Sequence, residues 1–154
     1  MDELKAFDYQ QKIVQLKAQH GYDFVGIALV QSAEQNFELK WEFAAGNQSN
    51  RYRRIVLQTG KGIAGHVFKT GKPYLVEDVG ETLGTKDLFN YPIVVSEGLK
   101  SFGAIPLYKD NRVIGVLLVG YRDGKQLTPE GFEEFKRVIG PRFGPFYSEE
   151  KVKD

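Results

Sequence analysis

The chain has 154 residues, 42 % apolar and 27 % charged, with 21 basic and 20 acidic side chains and a net charge of +1. This composition describes one folded domain and excludes both a disordered chain and a basic duplex-DNA binder. Cysteine is absent and histidine occurs twice, which removes disulfide scaffolds, zinc-cysteine and iron-sulfur sites, thiol redox catalysis, thioether-linked chromophores and multi-histidine metal sites.

Asp2 to His20 predicts a helix, with Leu4, Phe7, Ile13, Val14 and Leu16 as its apolar stripe and His20-Gly21 as its stop. Its acidic start, Met1-Asp2-Glu3-Leu4, lacks a secretory pattern and places the protein in the cytoplasm. Tyr22 to Gln31 is apolar on both faces and reads as a central strand. Phe37 to Phe43 alternates, with Phe37, Leu39, Trp41 and Phe43 expected on one face. Ser32 to Asn36 between them is a polar hairpin loop. Gly46 to Asn50 is a turn, Arg54 to Gln58 a short strand, and Gly62 to Lys69 a short helix closed at Gly71.

Tyr74 to Glu77 is extended, and Asp78 to Glu97 reads as an irregular crossover with one or two helical turns. Lys100 to Tyr108 and Arg112 to Tyr121 are strands joined by Asp110-Asn111, residues that tolerate positive φ. Thr128 and Pro129 open a last helix, about residues 128–147, with Phe132, Phe135, Ile139 and Phe143 as its buried stripe; Pro141 and Pro145 are placed to kink or break it. No apolar run is long enough to cross a bilayer; the longest is Val113 to Gly120. Residues 1–154 therefore read as a single α+β domain: an antiparallel sheet of five or six strands, terminal helices on one face, and a ligand space under the crossover on the other.

Several patterns could carry chemistry. Gly60-Lys61-Gly62-Ile63-Ala64-Gly65 satisfies G-x-G-x-x-G, and Glu77 stands near where a ribose-binding acid belongs. The following helix is short and the flanking strands form hairpins, so the motif reads as a backbone turn whose helix start offers free N–H groups. Pro92 marks a second helix start, with Asn90 as a cap; Tyr91 to Val95 either plugs the core or aims N–H donors at a dry space. Trp41, the single tryptophan, is either a core residue or a ligand contact, since a buried indole N–H needs a partner. His66 reads as a helix-surface residue; Asp78, Glu81 and Asp87 read as solvated loop charges rather than an acid-base set. Arg51-Tyr52-Arg53-Arg54 is a solvated strand end or a partner-binding patch. No Ser-His-acid arrangement has credible spacing, so no catalytic residue is assigned.

Leu57-Gln58-Thr59-Gly60-Lys61-Gly62-Ile63-Ala64-Gly65-His66-Val67-Phe68-Lys69-Thr70-Gly71-Lys72-Pro73-Tyr74-Leu75-Val76-Glu77-Asp78-Val79 resembles a GAF domain, as do Lys100 to Tyr108 and Val113 to Leu117. The resemblance runs over about residues 10 to 147 and implies the GAF fold. Its bilin-binding members and its free-methionine-sulfoxide reductases use cysteines, which this chain lacks. The Asn-Lys…Phe…Asp-Glu motif of cyclic-nucleotide members is missing too, since Asn36-Phe37-Glu38 has neither the lysine nor the spacing. The chain is similar instead to the stand-alone nitrate receptors of this family, in which backbone N–H groups, helix starts and apolar walls hold the anion. That similarity implies Trp41 as the wall on the second strand, Ile63 and Ala64 at the glycine-rich helix start, Tyr91, Pro92, Ile93 and Val94 on the crossover helix, and Leu99 leading into the next strand.

The implied function is a non-enzymatic cytoplasmic nitrate receptor, with no cofactor or metal, that modulates a sensor histidine kinase controlling nitrate respiration. Nucleic acid and membrane are not expected partners, and the terminal helices are candidate surfaces for a homodimer. The rival readings are a ligand-free docking or dimerisation module and a cysteine-free descendant of the sulfoxide reductases.

Overall fold

The computed structural model describes residues 7–31, 38–58, 60–84, 90–139 and 142–147. Helix α1 is Tyr9–His20: Asp8 caps it by accepting from the Gln11 N–H, and Gly21 closes it in the left-handed conformation. Its buried stripe is Tyr9, Ile13 and Leu16, whereas Val14 is 49 % exposed and Phe7 precedes the helix. The expected start at Asp2, and Leu4 with it, lies outside the described residues.

Strand β1 is Phe24–Gln31 and β2 is Glu38–Ala45, paired antiparallel. The expected alternation on β2 holds for Leu39 and Trp41 and fails at Phe43. The register slips between Ile27 and Ala28, so that Trp41 pairs with Ala28 and Phe43 with Ile27. The extra residue is a β-bulge at Glu42, and it turns Phe43 to the opposite face, where its ring stacks on Tyr9 at 5.1 Å. The loop between β1 and β2, and Phe37, lie outside the described residues.

Arg51–Arg54 forms a 3₁₀ helix rather than the start of a strand, and β3 is Val56–Gln58. Tyr52 is its buried anchor, the Arg53 Nε donates to the Tyr52 hydroxyl, and the three arginines are exposed. Helix α2 is Gly62–Thr70, closed by Gly71 as expected. Strand β4 is Tyr74–Val76, α3 is Val79–Thr82 and α4 is Pro92–Glu97. Strands β5, Ser101–Lys109, and β6, Arg112–Tyr121, meet at Asp110 and Asn111, with φ of 53° and 62°. That is the left-handed pair a two-residue hairpin needs.

Helix α5, Pro129–Ile139, begins where expected, with the Thr128 hydroxyl accepting from the Gly131 N–H. It ends well before residue 147. The chain then forms a small hairpin, β7 (Arg142–Phe143) and β8 (Phe146–Tyr147), and β8 pairs with β5 at Tyr108. Phe143 is therefore buried from the hairpin rather than from a helical stripe.

Six strands run in the order β3-β2-β1-β6-β5-β4, all neighbours antiparallel, and the hairpin extends the β5 edge. One buried layer packs α1 and α5 against the sheet through Ile13, Leu16, Phe132 and Phe135. The other lies beneath α2, α3 and α4 and holds Trp41, Ile63, Ala64, Ile93, Val94 and Leu99. The sheet thus separates the terminal helices from the crossover.

Candidate functional site

The glycine-rich turn explains itself through the backbone. Gly60 and Gly62 take φ of +83° and +67°, a region that penalises a side chain. A Cβ on Gly65 would sit 2.5 Å from the Gln58 carbonyl oxygen, so only glycine lets the helix approach β3 this closely. The Gly60 N–H donates to the Gly65 carbonyl at 3.0 Å and the Lys61 N–H to the Gln58 carbonyl at 2.9 Å. The strands around it are antiparallel and Glu77 is exposed, which excludes the parallel dinucleotide unit.

Lys61 occupies the cap position of α2 but supplies no side-chain acceptor. The first bond of the helix ladder is Gly65 N–H to Lys61 carbonyl at 3.0 Å. The N–H groups of Gly62, Ile63 and Ala64 therefore have no intrahelical acceptor, and all three residues are buried. Buried N–H groups are nearly always paired, so a helix start of this kind can take an acceptor from outside the helix.

Helix α4 contributes a second start. Tyr91, not Asn90, holds its cap position, Asn90 is exposed, and Pro92 opens the helix without an N–H. The Val94 and Val95 N–H groups both turn back to the Tyr91 carbonyl, at 3.0 and 3.2 Å, and the Leu99 N–H donates to the Val94 carbonyl. Val94 and Leu99 thus present side chains only. Ile93, 1 % exposed, carries the one unclaimed N–H of the first turn.

Trp41 is 1 % exposed, and its indole N–H is buried without a hydrogen-bond partner. Gly26 on β1 makes space for it; a Cβ there would stand 3.3 Å from the indole ring. Trp41, Ile63, Ala64, Ile93, Val94 and Leu99 belong to one buried cluster, with Tyr91 packed against it and Pro92 half-buried. The residues that the resemblance implies for an anion site therefore lie in or beside one layer.

A cleft of about 290 Å³ opens where α2 and the approach to α4 meet, lined by Gly60, Lys61, Gly62, His66, Asn90 and Tyr91. His66 is exposed, as expected, yet its ring forms part of this wall and lies 4.8 Å from the Tyr74 ring. Burial, with Tyr91 adding, pushes the Tyr74 hydroxyl above its ordinary value, so it stays protonated. Asp78 caps α3 by accepting from the Glu81 N–H; both are exposed, and Asp87 lies outside the described residues. Among the described residues no group of His, Asp and Glu could hold a metal ion, and no helix is long and apolar enough to cross a membrane.

The GAF domain family matches residues 10–140. The chain belongs to the GAF domain family. Among solved structures this GAF domain is similar to Staphylococcus aureus NreA, described as mutated in its nitrate binding site. One NreA structure is 41 % identical over 78 % of this chain and 87 % of that one, with a TM-score of 0.74. A second is 37 % identical over 83 % and 97 %, with a TM-score of 0.75. The type II free methionine-R-sulfoxide reductase of Thermoplasma acidophilum shares the fold alone, at 19 % identity over 90 % of this chain and 89 % of that one, with a TM-score of 0.65. Comparison with curated protein sequences gives no match.

Two features of this GAF domain escape sequence reasoning. Asn90 and Tyr91 join Gly60, Lys61, Gly62 and His66 in one cleft only through the fold. An ion pair joins the buried Glu97 at the end of α4 to the half-buried Arg122 just after β6, with 2.6 Å between Oε1 and Nη2. No spacing or periodicity links those two residues.

Proposed function

We propose that this GAF domain is a nitrate receptor. The observation that carries the reading is a set of buried donors without acceptors: the N–H groups at the start of α2 and the indole N–H of Trp41, in an apolar layer. Each such orphan costs about 1–3 kcal/mol when left unmade. A small anion would satisfy several at once, and the positive end of a helix favours it. Identity of 37–41 % to NreA, whose structures are described by a nitrate binding site, supports nitrate as that anion.

In this reading Trp41 forms the wall on β2, and Ile63 and Ala64 offer their N–H groups from α2. Tyr91, Pro92, Ile93 and Val94 close the pocket from α4, and Leu99 packs at the start of β5. Among the described residues the buried polar side chains are Glu97 and Ser101, so no buried cation is available. A singly charged, planar ion suits such a site; sulfate would lack compensation for its desolvation. The same lack of buried reactive groups favours a receptor over an enzyme, although sulfoxide reductases share the fold.

Nitrate has four heavy atoms, and at a ceiling of about 1.5 kcal/mol per atom the dissociation constant is on the order of 10⁻⁵ M or weaker. Calorimetric titration with nitrate, nitrite, chloride and sulfate at fixed ionic strength tests the reading. Nitrate is expected to bind best, nitrite more weakly because it has one acceptor fewer, and sulfate not at all. An equal response to all four, or to none, overturns it.

The receptor's output, in this reading, is contact with a sensor histidine kinase in the cytoplasm that controls nitrate respiration. The sequence resemblance supplies that partner. Autophosphorylation of such a kinase should differ between nitrate-free and nitrate-loaded receptor; identical rates would remove the kinase from the reading.

A further inference from the structure

Helix α4 has six residues, and its two ends lie in different surroundings. Its first turn closes the proposed nitrate pocket. Its last residue, Glu97, is fully buried at the other end. Gly98 caps it in the left-handed conformation, with its N–H turned back to the Val94 and Val95 carbonyls, so its C-terminal end is closed.

Arg122 holds that closed end by two atoms. Its Nε donates to the Glu97 carbonyl at 2.7 Å and its Nη2 to the Glu97 Oε1 at 2.6 Å. The same guanidinium reaches the ends of two strands. Nη1 donates to the Asp23 carbonyl at 3.2 Å and Nη2 to the Gly46 carbonyl at 2.9 Å, while the Arg122 N–H donates to the Asp23 carboxylate at 2.7 Å. The Gln48 N–H completes the cluster by donating to Glu97 Oε1 at 2.8 Å.

There is no slack beyond it. A Cβ on Gly46 would lie 2.2 Å from the Asp23 carbonyl oxygen and 2.4 Å from Cε of Lys17, in the last turn of α1. The grip on Glu97 itself leaves room for a second setting. Glu97 Oε2 is buried without a partner, so the carboxylate can pass from one bonded oxygen to two without leaving the guanidinium. Coupling between sites requires such an element with two discrete arrangements.

We propose that Glu97 and Arg122 are positioning residues, which set α4 against the anion pocket and carry its occupancy to the place where β1, β2 and α1 meet. The inference rests on the nitrate reading of the pocket. It also names where the bound state becomes visible away from α4, where α1, β1 and β2 meet, at residues 17–24 and 44–48.

Hydrogen exchange of the full chain, with and without saturating nitrate and with chloride as control, tests it. In the wild-type chain nitrate should slow exchange at residues 91–97 and also at 17–24 and 44–48. The double variant Glu97→Gln/Arg122→Met removes both charges together and leaves no lone buried ion. It should keep the response at 91–97, lose the distant one, and bind nitrate about tenfold more weakly. Arg122→Lys keeps the charge but cannot span all three carbonyls, and should weaken the distant response without abolishing local protection. A distant response that survives in both variants overturns the coupling. A wild-type response confined to 91–97 overturns it as well while leaving the nitrate reading intact. No nitrate effect anywhere, with no heat of binding, overturns the nitrate reading and the coupling with it.

Discussion

Trp41→Phe removes one N–H while keeping an aromatic ring in place, which separates a binding role from a packing role. In the ligand-free protein the indole N–H is buried and unpaired, a burden of about 1–3 kcal/mol. Trimming a fully buried indole to a phenyl ring loses packing of a similar size, about 1–3 kcal/mol. The two effects oppose each other, so the unfolding free energy without ligand is expected to move by less than about 2 kcal/mol in either direction. Binding should behave differently. A hydrogen bond to a charged acceptor is worth about 1.5–3 kcal/mol, so its loss raises the nitrate dissociation constant about 10- to 150-fold. Urea unfolding without nitrate, paired with calorimetric titration of the folded variant, measures both quantities. Trp41→Ala is the control for bulk: it should cost about 3–5 kcal/mol of stability. Unchanged nitrate affinity in Trp41→Phe would make Trp41 a core residue and nothing more.

How much of this was legible in the sequence depends on what kind of constraint each residue carries. Local backbone demands were readable: Gly71 at the end of α2, Asp110-Asn111 in the hairpin, and Thr128-Pro129 at the start of α5 each have one conformational meaning. Alternation on β2 was readable up to Trp41 and misleading at Phe43, because a bulge is a property of the pairing with β1 rather than of either strand alone. Pro141 announced a break, yet only the free edge of β5 explains why the next residues form a hairpin there. Glu97 and Arg122 lie on separate elements, and only the tertiary fold makes them partners. The proposed pocket is nearly silent in sequence, since a main-chain N–H has no side-chain signature. What remained visible was its frame: glycines that free the start of α2, a proline that starts α4, and a single tryptophan on an inward face.

Gly65→Ala would drive a Cβ to within 2.5 Å of the Gln58 carbonyl oxygen, so the start of α2 must shift. A loss of about 1–3 kcal/mol in urea unfolding, with weakened nitrate binding, is expected, and a variant of full stability and affinity would contradict the close approach. Nitrate affinity should change by less than about twofold between about pH 6 and 8, because amide and indole donors do not titrate in that range. A clear midpoint that His66→Gln abolishes would instead give His66 of the cleft wall a part in binding. Tyr22 sets the behaviour at high pH. Burial, and then the neighbouring Tyr121, pushes its hydroxyl from the ordinary 10.0 up to about 12. The folded state therefore keeps this proton over a range where the unfolded chain has released it. Its contribution to stability is fully present below pH 10 and is lost as pH rises through about 12. Stability measured by urea unfolding across that window should fall in the wild-type chain and fall less in Tyr22→Phe, which has no proton to lose. Equal slopes in the two proteins would show that the hydroxyl is not held protonated by its surroundings.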